Sequence, residues 1–357
     1  MIKVKRPTLI IDRQKCMSNI ERMARKANQS GIIFRPHFKT HQSNIVAEWF
    51  REFGVDKICV SSVDMAAHFA DHGWDDITIA FPLNFSQVQE INELAGRISL
   101  NVLVESVEAI ELLKEKIDHE IGVFIEIDDG YHRSGVPITD TSSPDTITDL
   151  IAISKKLNFK GFLVHSGQTY YAGNRQQIID IYNDTLGGLA ALKNRYAALF
   201  PGLILSIGDT PSCSIKDDFQ GVDEIRPGNF VFYDVMQYYL GVCDLNDIAV
   251  CIACPVVAKN ESRSEIIIYG GAIHLSKESL LSKNADAYFG LVVNFEQDGW
   301  GKPLSDTIVA SLSQEHGIIK TTPSVFKNIH RGDNIGILPV HSCLSNDLLK
   351  DHHLIIN

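Results

Sequence analysis

The chain is short of positive charge. Lys and Arg number 33 against 44 Asp and Glu, giving a net charge of -11, and no basic run occurs anywhere. Holding a phosphate backbone depends on clustered cations, so a nucleic-acid partner is not expected. Long apolar runs are missing too. The longest stretch free of Asp, Glu, Lys and Arg, from Gly161 to Asn174, contains His165, Gln168, Tyr170 and Tyr171, whereas a membrane span needs about 18 or more apolar residues. The opening Met1-Ile-Lys-Val-Lys-Arg-Pro7 has neither the apolar core nor the small-residue cleavage site of a secretory leader, which leads to the expectation of a cytoplasmic protein. Cysteine is sparse, with an odd seven scattered over 357 residues. That excludes a disulfide scaffold and leaves reduced thiols, some of them free for metal or redox chemistry.

What is present is a large apolar share, 45% AVILMFWYC beside 22% charged residues, enough for a sizeable core. The length suggests about two domains. From Ile32 to about Asp234, short β-branched runs alternate with helical patterns, as in a parallel sheet covered by helices. Eight strands are expected, near Ile32–Phe38, Ile58–Ser62, Ile77–Phe81, Ile98–Val104, Val123–Asp128, Gly161–His165, Ile204–Ile207 and Asp223–Arg226. The stripe of Val107, Ile110, Leu113 and Ile117 predicts a helix between two of them. Eight such units in some 200 residues fit an α/β fold of the (β/α)8 TIM-barrel type. After about Asp244 the β runs follow one another without helices: Ile248–Val257, Glu265–Tyr269, Tyr288–Val293, Ile308–Ser313, Ile335–Pro339 and Leu354–Ile356. These predict an antiparallel β domain, which a surplus strand at Thr8–Asp12 could join. We therefore expect a barrel over residues 13–240 and a β domain made of residues 1–12 and 241–357.

In such barrels chemistry sits at the carboxyl ends of the strands. The first expected strand ends in Arg35-Pro-His-Phe-Lys-Thr-His41. A partly desolvated lysine among cations has a lowered pKa and is competent as a Schiff-base nucleophile; otherwise Lys39 is a solvated surface lysine. The fifth ends in Glu126-Ile-Asp-Asp-Gly-Tyr-His-Arg-Ser-Gly135, setting Arg133 at the same rim unless it pairs with Asp128 or Asp129. The sixth ends in Val164-His-Ser-Gly-Gln-Thr-Tyr170, placing His165 there as a functional or a core histidine, with Gln168 and Tyr170 beyond it. Gly208-Asp-Thr210 follows the seventh strand, and Arg226-Pro-Gly-Asn229 ends the eighth. Glycine-containing turns at those two places commonly cradle a phosphate.

These segments resemble pyridoxal-phosphate enzymes of the alanine-racemase fold type, within them the D-serine dehydratase and D-threonine aldolase branch, over nearly the whole chain. The resemblance implies that Lys39 carries pyridoxal 5'-phosphate and that Arg133 contacts its phenolic oxygen. It implies that His165 lies against the pyridine ring, Arg226 faces the ring nitrogen, and Gly208, Thr210, Gly228 and Asn229 hold the phosphate, with Gln168 and Tyr170 also at the cofactor.

Near the end stands Pro339-Val-His-Ser-Cys-Leu344. On an extended strand His341 and Cys343 share a face, and imidazole with thiolate suits zinc or another divalent metal while leaving positions open. The branch resembled has a catalytic zinc on His-x-Cys in dehydratases and His-x-Asp in aldolases, so the cysteine favours dehydration. His274 and His316 lie in segments similar to that branch, as candidates to approach the site or as structural residues. Cys251 and Cys254 have redox or zinc spacing, but extended alternation sends them to opposite faces, so buried core thiols are expected. The alternative is a structural site of Cys251, Cys254, His341 and Cys343.

The expected function is a lyase that removes water from a D-3-hydroxy amino acid to give a 2-oxo acid and ammonia. The alternatives are aldol cleavage to glycine and an aldehyde, racemisation, or a non-catalytic pyridoxal-phosphate carrier. D-serine, D-threonine and D-3-hydroxyaspartate all carry the hydroxyl; for the acidic one, His37, His41 and Arg35 are candidate extra cations. The resemblance also implies a homodimer.

Overall fold

Short strands rich in β-branched residues bury their sides only by pairing, and eight of them do so in the computed structural model, which describes residues 2–282 and 285–357. They are Ile33–Phe34, Ile58–Val60, Asp76–Pro82, Ser99–Val104, Ile121–Asp128, Leu157–Val164, Ile204–Ile207 and Glu224–Ile225. From the second strand to the eighth each pairs in parallel with the next, and the eighth pairs with the first. The ring closes between the first and second strands through a parallel bridge of His37 to Cys59, where the Phe38 N–H donates to the Cys59 carbonyl at 2.8 Å. The expected (β/α)8 barrel is therefore present, with all eight strands where the β-branched runs put them.

Local chemistry sets the covering helices. Val107–Lys116 starts at Ser106, whose side chain accepts from the Ala109 N–H, and it ends with Lys114 and Lys116 in the last turn while Ala109, Ile110 and Leu113 are buried. Gly161 shows why one position tolerates no side chain: its φ is +135°, and a Cβ would lie 2.0 Å from the Ile204 carbonyl oxygen of the adjacent strand. Inside the ring, Ala80, Leu103, Phe124 and Leu163 pack with Ile204 into an apolar cluster.

By its internal contacts the chain forms two units, Glu21–Gly228 and a second made of the residues up to Ile20 with Asn229–Asn357. The second unit is built on an eight-stranded sheet. Its order is Glu265–Tyr269, His316–Lys320, Gly299–Leu312, Gly290–Glu296, Asn334–Pro339, Val250–Asn260, Thr8–Asp12 and His353–Ile356. Neighbours are antiparallel except the last two, and Thr8–Asp12 joins this sheet as expected.

Several readings need correction, among them the expectation of β runs without helices, since Ala272–Leu275 and Pro323–Asn328 are helical. His316–Lys320 is a strand the sequence did not announce, because it follows the polar Ser313-Gln-Glu315 and earns its place by pairing with Glu265–Tyr269. The run Tyr288–Val293 splits into Ala287–Tyr288 and Gly290–Glu296. The strand leading to His341 stops at Pro339, and Ser342–Leu349 is a helix. Among the described residues no helix is long and apolar enough to cross a membrane.

Candidate active site

Lys39 lies in the turn after the first barrel strand, its backbone N–H donating to His37 Nδ1 at 3.3 Å. The side chain is exposed, so the polypeptide alone does not supply the desolvation expected of it. Its positive charge does reach the site. Burial first, then the charges of Lys39 and Arg133, push His165 down to about 3, against an opposing hydrogen bond to the Gly208 carbonyl. Burial, followed by Lys39, Arg226, His165 and Arg133, likewise holds His37 well below its ordinary range. Both imidazoles are neutral near pH 7, and His165 is fixed by the turn after the seventh strand rather than free in solution.

The structure thus gathers Lys39, His37, His165, Arg133 and Arg226 into one electrostatic neighbourhood. It does not include the other two cations of the first segment. Arg35 is buried on Glu224 and Asp76, with Nε to Glu224 Oε2 at 2.7 Å and Nη1 to Asp76 Oδ1 at 2.6 Å. His41 is sealed among Phe38, Phe50 and Phe69, and burial pushes it down to about 3. Neither is a cation available to an acidic substrate.

Arg133 is exposed, with its guanidinium 5.5 Å from the centre of the Tyr131 ring. Pairing with the neighbouring aspartates is not its role. Asp128 accepts from the Gly130 and His132 N–H groups and from His132 Nδ1, while Asp129 accepts from Ser166 Oγ and from Thr185 Oγ1 at 2.6 Å. Sequence reading passed over Glu126, which points into the barrel by strand alternation. Its Oε1 accepts from Ser134 at 2.9 Å, its Oε2 is buried without a partner, and burial raises its pKa. A carboxylate after a β-branched run was the available signal.

After the seventh strand, Asp209 caps the helix Thr210–Ile215, accepting from the Ser212 N–H at 2.7 Å and from Thr169 Oγ1 at 3.0 Å. Burial raises its pKa to about 6. Thr210 Oγ1 and Gln168 Oε1 are buried with no partner, and the Tyr170 hydroxyl accepts from the Thr210 N–H at 3.2 Å. At Gly208 a Cβ would fall 2.9 Å from the Arg226 Cβ, and at Gly228 one would fall 2.9 Å from the His37 carbonyl, so both turns keep bare backbone. An orphaned hydroxyl beside bare turns fits a phosphate. Asn229 fits it less well. Its Nδ2 donates to Asp234 at 2.7 Å, Ser342 Oγ at 2.9 Å and Cys343 Sγ at 3.6 Å, leaving only an acceptor, the unpartnered Oδ1.

His341 and Cys343 do come together, though not on a strand. His341 is the extended residue before the helix Ser342–Leu349, and Cys343 is in its first turn. Burial disfavours the His341 cation, yet the hydrogen bond and charge of Cys343, with Asp234 and Glu278, hold its pKa up at about 9. Asp234 organises the segment: Oδ2 also accepts from the Ser342 N–H at 3.0 Å, and the residue is fully buried. An imidazole and a thiol in contact suit zinc with open positions. Among the described residues no group of three or more His, Cys, Asp or Glu could hold a metal. The four-ligand alternative is therefore not assembled. Cys251 lies against Gly336 and Cys254 against Gly270, both fully buried. His274 accepts from the Gly271 N–H and sits 3.9 Å from Glu315, a structural position, and His316 is an exposed residue at a strand start.

Residues 11–235 match the alanine racemase N-terminal domain family and residues 249–355 a serine dehydratase domain family. The chain is 30% identical to D-serine dehydratase of Dictyostelium discoideum, covering 95% of this chain and 90% of that protein. It is 28% identical to D-threo-3-hydroxyaspartate dehydratase of Delftia sp. (strain HT23), covering 94% and 90%. The solved structure of the latter superimposes with a TM-score of 0.87 at 26% identity, over 97% of this chain and 93% of that one. Solved variants of the same enzyme replace a histidine by alanine and, two residues further on, a cysteine by alanine, the second in a metal-free form. D-threonine aldolase of Arthrobacter sp. matches less of the chain, 66% at 23% identity.

Proposed function

The chain belongs to the alanine racemase N-terminal domain family of pyridoxal-phosphate enzymes, in the branch that carries a serine dehydratase domain, and we propose that it eliminates water from a D-3-hydroxy amino acid to give a 2-oxo acid and ammonia. The observation that carries this reading is the contact between His341 and Cys343, held by Asn229 and Asp234. The barrel residues alone suit dehydration, aldol cleavage and racemisation equally. The metal pair has a purpose only where a substrate oxygen must be activated, and it has the spacing of the two positions replaced in the hydroxyaspartate dehydratase variants.

Pyridoxal phosphate, when bound, supplies the electron sink for the carbanion at Cα. Lys39 would be the amine that holds the cofactor and the base that takes the proton from the substrate Cα. Neutral His165 offers a ring face without adding charge. Arg133, unpaired by its aspartate neighbours, and Arg226 would hold the cofactor ring, the first as donor to its phenolic oxygen and the second as donor to its ring nitrogen. Thr210 Oγ1 with the backbone of Gly208 and Gly228 would hold the phosphate, beside Gln168 and Tyr170. Zinc or another divalent metal on His341 and Cys343 would supply Lewis acidity toward the β-oxygen, whose departure as hydroxide is otherwise unfavourable near neutral pH.

Product analysis from D-threonine, with and without a chelator, tests the reading. We expect 2-oxobutanoate and ammonia, lost on chelation and absent in Lys39→Ala. Glycine and acetaldehyde would instead make it an aldol-cleaving enzyme, and turnover by Lys39→Ala would remove the lysine from the chemistry.

A further inference from the structure

The barrel interior carries an ionic chain that packing alone does not call for. Arg35 and Arg226 are each 4% exposed, Glu224 and Ser206 not at all. Arg35 is fixed at one end by Asp76 and donates through Nε to Glu224 Oε2 at 2.7 Å. Ser206 Oγ donates to Glu224 Oε1 at 2.6 Å, Arg226 Nε donates to Ser206 Oγ at 2.6 Å, and Arg226 Nη2 donates to the Val164 carbonyl at 2.6 Å. Apolar side chains of equal volume would serve stability about as well, because desolvating the charges offsets most of their attraction. Branched apolar residues are also what usually fills this kind of barrel.

The direction of every bond is set by chemistry. A guanidinium only donates and an ionised carboxylate only accepts, so the single Ser206 proton goes to Glu224 and a lone pair remains for Arg226. Two bonds on two different nitrogens then leave the guanidinium plane no freedom to turn. The alternating register of the eighth strand puts Glu224 and Arg226 on the same inward face, two residues apart, with Ser206 beside them on the seventh.

We propose that Ser206, backed by Glu224, is a positioning residue that aims the Arg226 guanidinium at the ring nitrogen of the bound cofactor. This rests on the reading of Arg226 given above. Its effect is read in the cofactor's own spectrum, since a donor at the ring nitrogen alters the ring's electronic state.

The test compares holoprotein of the wild type, Ser206→Ala, Ser206→Thr and Arg226→Lys, by the absorption band of bound pyridoxal phosphate across neutral to alkaline pH and by the cofactor's dissociation constant. Ser206→Ala and Arg226→Lys should displace the band in the same direction. Ser206→Ala should weaken cofactor binding about tenfold, in keeping with a lost charge-assisted hydrogen bond, and Ser206→Thr, which keeps the hydroxyl, should restore the wild-type values. A packing role predicts the opposite order, the extra methyl of Thr being worse than truncation, and that order would overturn the proposal. If Arg226→Lys moves the band and Ser206→Ala does not, the relay fails while the role of Arg226 stands. An unmoved band in Arg226→Lys removes that role and the relay with it. Should Ser206→Ala not fold, Ser206→Cys keeps the shape with a weaker acceptor and is read the same way.

Discussion

The two halves of the barrel interior are built on different physics, although the mainly apolar one also holds Glu126 and a hydrogen bond from Asn101 to Thr78 at 3.2 Å. On the third to sixth strands, Ala80, Leu103, Phe124 and Leu163 meet in an apolar cluster. Around the seventh, eighth and first strands, beyond Ile204 of the apolar cluster, the interior holds Ser206, Glu224, Arg226 and Arg35, reaching Asp76 at the start of the third. The apolar half holds its shape by excluded water and close packing, which is indifferent to the exact direction of any one side chain. The ionic half is directional, because each guanidinium N–H and the Ser206 hydroxyl must point at an acceptor. Groups of the second kind aim functional side chains, and it is on those strands that Arg226 and the phosphate-sized turns lie.

The comparison breaks most visibly at Glu224. Glu224→Ala leaves Arg35 buried with only part of its compensation, and we expect a loss of about 3–5 kcal/mol in urea denaturation. A cost below about 1 kcal/mol would mean that the ionic half is not organised by that carboxylate.

Asp209 sharpens it through pH. Its folded pKa, near 6, stands above the ordinary 3.8 because burial and the neighbouring Asp129 charge outweigh its hydrogen bonds. The folded state therefore binds this proton more tightly than the unfolded one, and the group's contribution declines as pH rises from the ordinary carboxylate value through about 6. Asp209→Asn keeps a good helix cap without that titration. Its stability relative to wild type should climb over that window by up to about 3 kcal/mol, two pKa units at some 1.4 each. Parallel stability curves for the two proteins would show that Asp209 is ionised at no cost.

The smallest effect is expected in the apolar half. Leu163→Met preserves volume and should cost less than about 1.5 kcal/mol, with cofactor binding untouched. A larger loss in thermal unfolding, or a change in cofactor affinity, would show that direction matters there as well.

Much of this layout was legible in the residues. The β-branched runs located every barrel strand, and Thr8–Asp12 was recognisable as surplus to the barrel before its partners were known. Lys39, Arg133, His165 and Arg226 stand at strand ends where such a barrel does chemistry, and the charges of Lys39, Arg133 and Arg226 all act on His165. Other features had no local signature. Arg35 sits two residues before His37 in the same segment, yet its side chain goes to Glu224 and Asp76, partners 189 and 41 residues away. Asn229 reads as part of a phosphate turn, but its amide is engaged by Asp234, Ser342 and Cys343. His341 and Cys343 satisfied the spacing of an extended pair, and they meet instead across the start of a helix whose Ser342 N–H is held by Asp234, 108 residues earlier.

The sequence by itself determined the periodicities, and so the strands, the helices and the order of residue types along them, because those depend on propensities and patterns within a few neighbours. Tertiary structure alone decided which polar groups meet. A buried donor must find its acceptor wherever the closed ring brings one, as Arg226 finds Ser206 and Asn229 finds Asp234. That choice is made by ring closure and sheet pairing, over separations no local pattern records.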